Sequence, residues 1–253
     1  MNWRGMQTLF RKELLRFYKV GLQTLAAPVM TTLLYLLVFA QALQERVQVF
    51  TGVDYASFLL AGLIMMSITQ NAFANSSSSL IQSKITGNIV FILLTPLSHF
   101  EFFLAFVAAA VVRGLAVGLG VYLAAVLLVP LPIHNPGWLV LFAVLNSAAL
   151  GTVGVIAGIW AEKFDQLAGF QNFIIIPLSF LSGVFYSIHA LPDFWQRASH
   201  LNPFFYMIDG FRYGFFGASD IDPLISLAVV VSVFATLVTL TLLMLRSGYK
   251  LRN

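Results

Sequence analysis

Polar side chains recur along one face of an apolar segment and are the first residues here that could do chemistry. Ser67, Asn71 and Asn75 are spaced four apart, and Gln70 lies beside them. On a helix this spacing brings them to one face. Because a buried amide in lipid must find a hydrogen-bond partner, that face is expected to point towards protein or water. Two interpretations stay open: interhelical hydrogen bonds of about 0.6 kcal/mol each, or the lining of a path for a polar or amphiphilic substrate.

Arg113 stands in the middle of another apolar segment. A central arginine costs about 2.5–3.5 kcal/mol on insertion scales, so a partner or a hydrated cavity must offset that cost. Glu101, the acidic residue of the same segment, lies too far along the helix to pair with it directly. The sequence leaves open whether Arg113 is a structural residue at a bundle or dimer interface or part of a substrate path.

The stretch from Pro177 to Gly217 begins as a membrane span and then breaks at Pro192 and Pro203. Neither piece after the break has the about 20 residues that cross a bilayer as a helix, yet both are too apolar for an ordinary loop. We predict two short helices that start at these prolines and dip into one membrane face; Asp209 and Arg212 are three apart on the second and can pair there. Such breaks are tolerated only where protein or water satisfies the backbone, which favours a transport protein over an anchor.

Motifs for catalysis, nucleotide binding and metal binding are missing from the sequence. It has no G-x-x-x-x-G-K-[ST] loop for ATP, no H-E-x-x-H motif, no assignable Ser/His/Asp set and no cysteine. The four histidines fall at segment ends or in loops, where solvation explains them. We therefore expect a chain that is not an enzyme, with no catalytic residues, no metal site and no cofactor bound by the chain itself.

Composition indicates a polytopic membrane protein surrounded by lipid. Of the 253 residues, 59% are hydrophobic and only 9% are charged, whereas a soluble domain has about 25% charged residues. The net charge of +4 does not indicate nucleic-acid binding, because the basic residues cluster at the ends of the apolar segments. A single transmembrane domain over residues 1–253 is expected to account for the chain.

Six apolar segments of spanning length predict an all-α membrane protein. They are Leu22–Leu43, Tyr55–Ser76, Phe100–Val129, Gly137–Trp160, Leu167–Ser187 and Pro223–Leu245. Before them, Trp3–Lys19 places apolar and basic residues on opposite faces, which predicts an amphipathic interface helix within residues 1–20; a plain basic flank is the alternative. Residues 77–99, between spans two and three, predict a short helix over Gln82–Leu94 that ends at Thr95-Pro96.

The distribution of Lys and Arg predicts the orientation. With six spans both termini lie on one side, and that side carries ten loop cations while the other carries three. The positive-inside rule places both termini and residues 77–99 in the cytoplasm, and residues 188–221 on the outer side. The ten are Arg4, Arg11, Lys12, Arg16, Lys19, Lys84, Lys163, Arg246, Lys250 and Arg252; the three are Arg46, Arg197 and Arg212.

Several short patterns resemble the ABC-2 family of exporter permeases, and in particular the small bacterial inner-membrane members related to polysaccharide, lipo-oligosaccharide and drug exporters. The resemblance covers essentially the whole chain. The patterns are Gly62–Met66, the loop from Lys84 to Pro96, Arg113-Gly114, Gly183–Tyr186, Leu191-Pro192 with Trp195, Leu201–Pro203 and Gly210–Gly214.

This resemblance implies a dimer of permease chains with two separate ATP-binding-cassette subunits, which hold the ATP and Mg. Residues 77–99 resemble a coupling helix that docks on the ATPase; the candidate residues are Lys84, Gly87, Asn88 and Pro96. Span five and residues 188–221 resemble an outer gate with two re-entrant helices. Its candidate residues are Gly183, Phe185, Pro192, Trp195, Asn202, Pro203 and Arg212.

The expected function is that of the membrane subunit of an ATP-driven exporter in the bacterial inner membrane. The many apolar and aromatic residues favour a hydrophobic, amphiphilic or lipid-linked substrate over an ion. Candidates for the pathway or the dimer interface are Ser67, Gln70, Asn71, Asn75 and Arg113. The alternative is a non-transporting scaffold or regulatory subunit of an ATPase complex.

Overall fold

The computed structural model describes residues 2–40, 42 and 49–250, and within this part the chain is helical and contains no strand. The carboxyl end of the predicted first span, with Arg46 and Arg252 of the cation count, lies outside the described residues. The α-helices are α1 (Trp3–Lys19), α2 (Gly21–Tyr35), α3 (Tyr55–Ile85), α4 (Asn88–Leu93), α5 (His99–Ala125), α6 (Pro136–Trp160), α7 (Phe164–Phe170), α8 (Ile176–Phe180), α9 (Asp193–His200), α10 (Pro203–Phe216) and α11 (Pro223–Ser247).

Helix α3 forms the centre of the bundle. It runs for 31 residues from the N-cap Asp54, whose side chain accepts a hydrogen bond from Ala56 N, and it is almost wholly buried. It packs mainly between α5 and α6. The approach to α6 is close, because a Cβ at Gly154 would lie 2.4 Å from the carbonyl oxygen of Phe73.

Helix α3 extends beyond the predicted span Tyr55–Ser76 and continues to Ile85. The predicted short helix over Gln82–Leu94 is confirmed in its end and wrong in its start, because Gly87 adopts φ +74° and separates α3 from the six-residue α4. Left-handed backbone of this kind favours glycine and cannot continue a right-handed helix. The chain therefore bends at Gly87, between α3 and α4. We call residues 85–94 the elbow, and they lie at the Ile85 end of the bundle.

Helix α1 has the predicted bounds and packs lengthwise on α5. The side-chain oxygen of the N-cap residue Asn2 accepts a hydrogen bond from Gly5 N at 3.0 Å. The backbone N–H of Asn2 donates to the Glu101 carboxylate in the first turn of α5. The same Glu101 closes a capping box with Ser98. Because α1 packs along α5 from this first turn, it is part of the bundle. That α1 lies in the membrane interface stays a prediction.

Five helices of the described chain are long and apolar enough to cross a membrane: Gly21–Ala40, in which a π-helical turn extends α2, and Tyr55–Ile85, His99–Ala125, Pro136–Trp160 and Pro223–Ser247. The predicted fifth span is not among them. Its helical part consists of α7, a π-helical segment over Gln171–Ile175 and α8, with seven, five and five residues that follow one another directly.

The two helix starts predicted after Ser187 are confirmed. Pro192 is the N-cap residue of α9, and Asp193 lies in its first turn. Pro203 is the first residue of α10, and the Asn202 side chain accepts from Phe204 N at 3.0 Å. Both helices lie at the Tyr55 end of the bundle, opposite the elbow, since α10 packs on α6 and on the start of α3.

Candidate functional site

The elbow at the Ile85 end exposes apolar side chains. In α4, Phe91 is 72% exposed and Leu94 is 76% exposed, and Val90 beside them is also exposed. The opposite side of α4 anchors the elbow, because Ile89 is buried in a cluster with Phe102 of α5. An exposed apolar surface on an anchored helix is typical of a surface that binds protein or membrane.

The four coupling candidates divide into two pairs. Gly87 makes the turn of the elbow and Asn88 is the exposed first residue of α4. Lys84 is not free, because its Nζ donates to the carbonyl oxygens of Ile159 at 2.8 Å and Ala161 at 2.5 Å. The Pro96 carbonyl accepts from Asn2 Nδ2 at 3.4 Å. Lys84 and Pro96 therefore hold the elbow in position, while Gly87 and Asn88 are available for contact.

A salt bridge at this end joins the residues that follow α6 and α11. Lys250 Nζ donates to Glu162 Oε1 at 2.8 Å and lies 5.8 Å from the centre of the Trp160 ring. The hydrogen bond from Lys250 holds the pKa of the exposed Glu162 below its usual range, so the carboxylate is charged at neutral pH. The ends of α3, α6 and α11 are thus tied together beside the elbow.

The predicted polar face of α3 is split by the structure. Ser67, Gln70 and Asn71 are half-buried and line a cavity of about 190 Å³ between α3 and α2, whose Thr31 and Tyr35 face it. Asn75 lies outside this cavity and is fully buried. It accepts from Arg16 of α1 instead, as described below. Three of the four residues thus share one opening.

Arg113 makes a hydrogen bond to this face. Its Nη2 donates to Asn71 Oδ1 at 3.2 Å, and its Cζ lies 5.9 Å from the centre of the Phe17 ring of α1. No carboxylate forms an ion pair with Arg113 in the part of the chain that the structure describes. The structure therefore brings Arg113, Asn71 and the cavity together.

Sequence reasoning missed Arg16 and Glu13 of α1. Arg16 Nη2 donates to the Asn75 carbonyl at 2.6 Å, and its Nη1 donates to Ser78 Oγ at 3.0 Å. Glu13 is completely buried and pairs with Lys12 and Arg16. A signal existed, since Glu13 continues the helical spacing of the buried Met6 and Leu9, and a carboxylate on that face requires a cation.

At the Tyr55 end, Arg212 is the centre of a buried cluster. Its Nη2 donates to the Val184 carbonyl at 2.8 Å, and its Cζ lies 3.5 Å from the centre of the Phe58 ring. Gly62 makes room for this contact, because a Cβ there would lie 2.8 Å from Arg212 Nη2 and 2.8 Å from the Val184 carbonyl oxygen. Arg212 thereby fastens the turn after α8 to α3. In the sequence, Gly62 was named only within the Gly62–Met66 pattern that resembles the ABC-2 family, without a role of its own.

Two other gate candidates belong to the same cluster. Gly183 precedes Val184 and has φ +78°. Phe185 stacks on Phe180, with ring centres 5.1 Å apart, and its carbonyl accepts from Tyr55 Oη at 3.1 Å. The turn is therefore linked to α3 in two ways. Tyr55 of α3 bonds it directly, and Arg212 of α10 bonds Val184 while packing on Phe58 of α3.

The remaining gate candidates lie outside this cluster. Asn202 Nδ2 donates to the Leu178 carbonyl at 2.7 Å, which links the start of α10 to α8, and Pro203 follows it. Pro192 and Trp195 belong to α9, where Trp195 is exposed beside Phe194. The structure therefore brings Gly183, Phe185 and Arg212 together and leaves Pro192 and Trp195 at the surface.

The pair that the spacing allows between Asp209 and Arg212 is not formed: the described residues contain no such ion pair. Asp209 is buried and accepts from Asp220 N at 2.6 Å and from Ile221 N at 3.3 Å. It also accepts from Ser226 Oγ at 3.3 Å. Asp209 therefore orders the turn between α10 and α11, while Arg212 turns towards α3. No group of three or more His, Asp or Glu side chains suited to a metal occurs in the described chain.

Comparison with known proteins decides the family. A sequence profile described as "ABC-2 type transporter" matches residues 4–216. The chain belongs to the ABC-2 type transporter family. This ABC-2 protein is 38% identical over 234 residues to the "Inner membrane transport permease YadH" of Escherichia coli strain K12, with 92% of this chain and 91% of that protein covered.

More distant ABC-2 relatives carry a different name. "Nodulation protein J" of Rhizobium meliloti strain 1021 is 24% identical over 217 residues, which cover 83% of this chain and 80% of that protein. The protein of the same name from Rhizobium leguminosarum bv. trifolii is 25% identical over 228 residues, with coverage of 88% and 84%. The ABC-2 resemblance found in the sequence is confirmed.

Proposed function

We propose that the chain is the membrane permease subunit of an ATP-driven exporter in the bacterial inner membrane. Two copies of the chain work with two separate ATP-binding-cassette subunits, which bind ATP and Mg and perform the hydrolysis. The observation that carries the proposal is the exposed apolar elbow with Phe91 and Leu94, at the end of the central helix of an ABC-2 protein. The name of YadH as an inner membrane transport permease supports transport and the membrane.

The orientation follows from a sixth crossing. The continuous helical stretch from Phe164 to Phe180 is about 26 Å long at 1.5 Å per residue, close to the about 30 Å of the hydrocarbon core. Together with the five long helices it gives six spans, so both termini share a side. The excess of Lys and Arg on that side supports a cytoplasmic location for it and for the elbow. Helices α9 and α10 then form the re-entrant outer segment within residues 188–221.

The central helix offers a mechanical link between the two ends. Helix α3 is about 46 Å long, and it joins the elbow at Gly87 to the cluster of Gly62 and Arg212. Movement of the elbow by the ATPase would be passed along this buried helix to Val184, because Arg212 fastens that turn to α3. This coupling gives the outer candidates, Gly183, Phe185 and Arg212, a role as the gate. Pro192, Trp195, Asn202 and Pro203 shape the helices that carry it.

The substrate is proposed to be amphiphilic or lipid-linked. Ser67, Gln70 and Asn71 provide a polar lining beside apolar α2 side chains, which suits a molecule with a polar head and an apolar tail. Arg113 of α5 joins this lining through its hydrogen bond to Asn71, whereas Asn75 is buried one turn closer to the elbow. The second copy of the chain would face this lining across the dimer.

Pull-down of the full chain from native membranes tests the docking surface. We expect wild-type protein to retain a subunit with a P-loop, identified by mass spectrometry, and Phe91→Glu to lose it, because a carboxylate cannot be buried without a partner. The matched control is Phe194→Glu, since Phe194 is 73% exposed but lies in α9 at the opposite end. Retention of the P-loop subunit by Phe91→Glu would refute docking at the elbow. A wild-type chain that retains the subunit without supporting transport would instead indicate a scaffold.

A further inference from the structure

Two arginines from different helices meet one side of α3. Arg16 of α1 donates to the Asn75 carbonyl at 2.6 Å, and Arg113 of α5 donates to Asn71 Oδ1 at 3.2 Å. Asn71 and Asn75 are one helical turn apart, which separates their Cβ atoms by about 5–6 Å. The two guanidinium groups are therefore neighbours along the same side of the central helix.

This cluster has more positive than negative charge. Glu13 is its carboxylate, and it is shared between Lys12 Nζ at 3.1 Å and Arg16 Nε at 3.4 Å. Glu101, the carboxylate of the Arg113 helix, is occupied by Ser98 and the Asn2 backbone. Arg113 Nε is buried without a hydrogen-bond partner. Among the described residues the cluster thus has three cations and one carboxylate, which pairs with Lys12 and Arg16, and Arg113 keeps an Nε donor without a partner.

Two independent measures put the cluster at the edge of the hydrocarbon layer. Counted from Asp54, the charged N-cap of α3, a layer of about 30 Å ends after about 20 helical residues, which is near Asn75. The first span begins at Gly21, just after Phe17, whose ring lies 5.9 Å from Arg113 Cζ. By these counts Arg113, although central in its helix, lies within about one helical turn of that edge, on the side of the elbow.

The cluster can be reached from outside the chain. The Arg16 side chain is 31% exposed, and Arg113 is only half-buried. The partly open stripe of α3 continues from Ser78 past Asn71 into the cavity of about 190 Å³. A ligand at the arginines therefore has polar side chains on one side and a route along α3 on the other.

We propose that Arg16 and Arg113 bind the phosphomonoester group of an anionic amphiphile in the cytoplasmic leaflet. Guanidinium groups present donors in a fork that matches phosphate oxygens, and Arg113 keeps an Nε donor that has no partner in the chain. Ser78 and Asn71 add polar contacts at the rim. As a statement about the transported substrate, this inference rests on the proposed transport function and narrows the substrate to anionic lipids with a phosphomonoester headgroup. As a statement about lipid binding, it stands without that function.

Native mass spectrometry of the purified full chain, without ATPase, tests the site. The probe is dioleoyl phosphatidate, compared with dioleoyl phosphatidylcholine and inorganic phosphate. We expect saturable binding of phosphatidate and a Kd raised roughly tenfold by Arg113→Gln and by Arg16→Gln, since each removes charge-assisted hydrogen bonds. Arg4→Gln is the control, because it removes one exposed cation of the same α1 and should leave the Kd unchanged.

The outcomes separate a specific site from general attraction or misfolding. Arg113→Lys keeps the charge but loses the fork, so its Kd should lie between those of wild type and Arg113→Gln. Unchanged melting temperatures would show that the variants are folded. Equal binding of phosphatidylcholine, an unchanged Kd in both glutamine variants, or an equal effect of Arg4→Gln would overturn the site. Displacement by inorganic phosphate at matched concentration would overturn the assignment to an amphiphile. Because no ATPase is present, any of these results leaves the pull-down at Phe91 unaffected.

Discussion

Gly62→Ala tests the link between the central helix and the outer cluster. The added Cβ would lie 2.8 Å from Arg212 Nη2, 2.8 Å from the Val184 carbonyl oxygen and 3.1 Å from Val184 Cα. Real Cβ atoms do not approach so closely, so the turn at Val184 must move away and the Arg212 hydrogen bond of 2.8 Å must lengthen or break. A backbone neighbour cannot swing aside as the tip of a flexible side chain can.

The expected change in the free energy of unfolding is the balance of two opposing effects. Overpacking and the weakened hydrogen bond to a charged group together destabilise by about 2–4 kcal/mol. Replacement of glycine by alanine inside a helix returns about 1 kcal/mol. The net loss of about 1–3 kcal/mol lowers the melting temperature by about 2–4 °C per kcal/mol in a chain of this size.

Thermal unfolding of the purified chain in one detergent, followed by intrinsic fluorescence, provides the assay. Gly169→Ala is the matched control, because Gly169 lies within α7 and a Cβ there meets nothing within 4 Å. We expect Gly169→Ala to leave the melting temperature unchanged or slightly raised. A Gly62→Ala variant as stable as Gly169→Ala would refute the close approach of Arg212 and Val184 to α3.

Two further substitutions test other ties. Lys84→Met removes the hydrogen bonds to the carbonyls of Ile159 and Ala161 and should destabilise by about 1.5–3 kcal/mol in the same assay, whereas Lys19→Met, at an exposed position, should not; equal effects would contradict the tie. Asp209→Asn turns an acceptor towards the N–H groups of Asp220 and Ile221 into a donor and should destabilise by about 1–3 kcal/mol. Asp222→Asn is its control, because asparagine caps a helix as well as aspartate.

Local signals explain what the sequence predicted correctly. Helix α1 was bounded correctly because its amphipathic pattern and basic end lie within one short segment. The starts of α9 and α10 followed from Pro192 and Pro203, since proline suits the first turn of a helix and little else in it. These features depend on neighbouring residues alone.

The extension of α3 could not be predicted from its residues. The serine run after Asn75 is typical of a helix end, because serine side chains compete for backbone hydrogen bonds. In the structure Ser77 Oγ donates back to the Phe73 carbonyl at 2.9 Å, and Ser76, Ser77 and Ser79 are buried. Packing against α6 therefore overrides the local preference.

Long-range partners explain the other errors. Arg212 bonds Val184 and Phe58, which lie 28 and 154 residues away in the chain, so spacing within α10 pointed to Asp209 instead. The contact of Arg16 with α3 likewise joins residues 59 apart. Helical periodicity identifies faces but not which face of another helix they meet.

ATP hydrolysis by material purified through this chain tests the central claim most directly. Because the chain has no P-loop, vanadate-sensitive hydrolysis in the purified complex must come from a bound subunit. The account predicts such hydrolysis with wild type and with Phe194→Glu, and its loss with Phe91→Glu. A wild-type chain that never carries ATP hydrolysis, or a Phe91→Glu variant that carries it undiminished, would contradict the account.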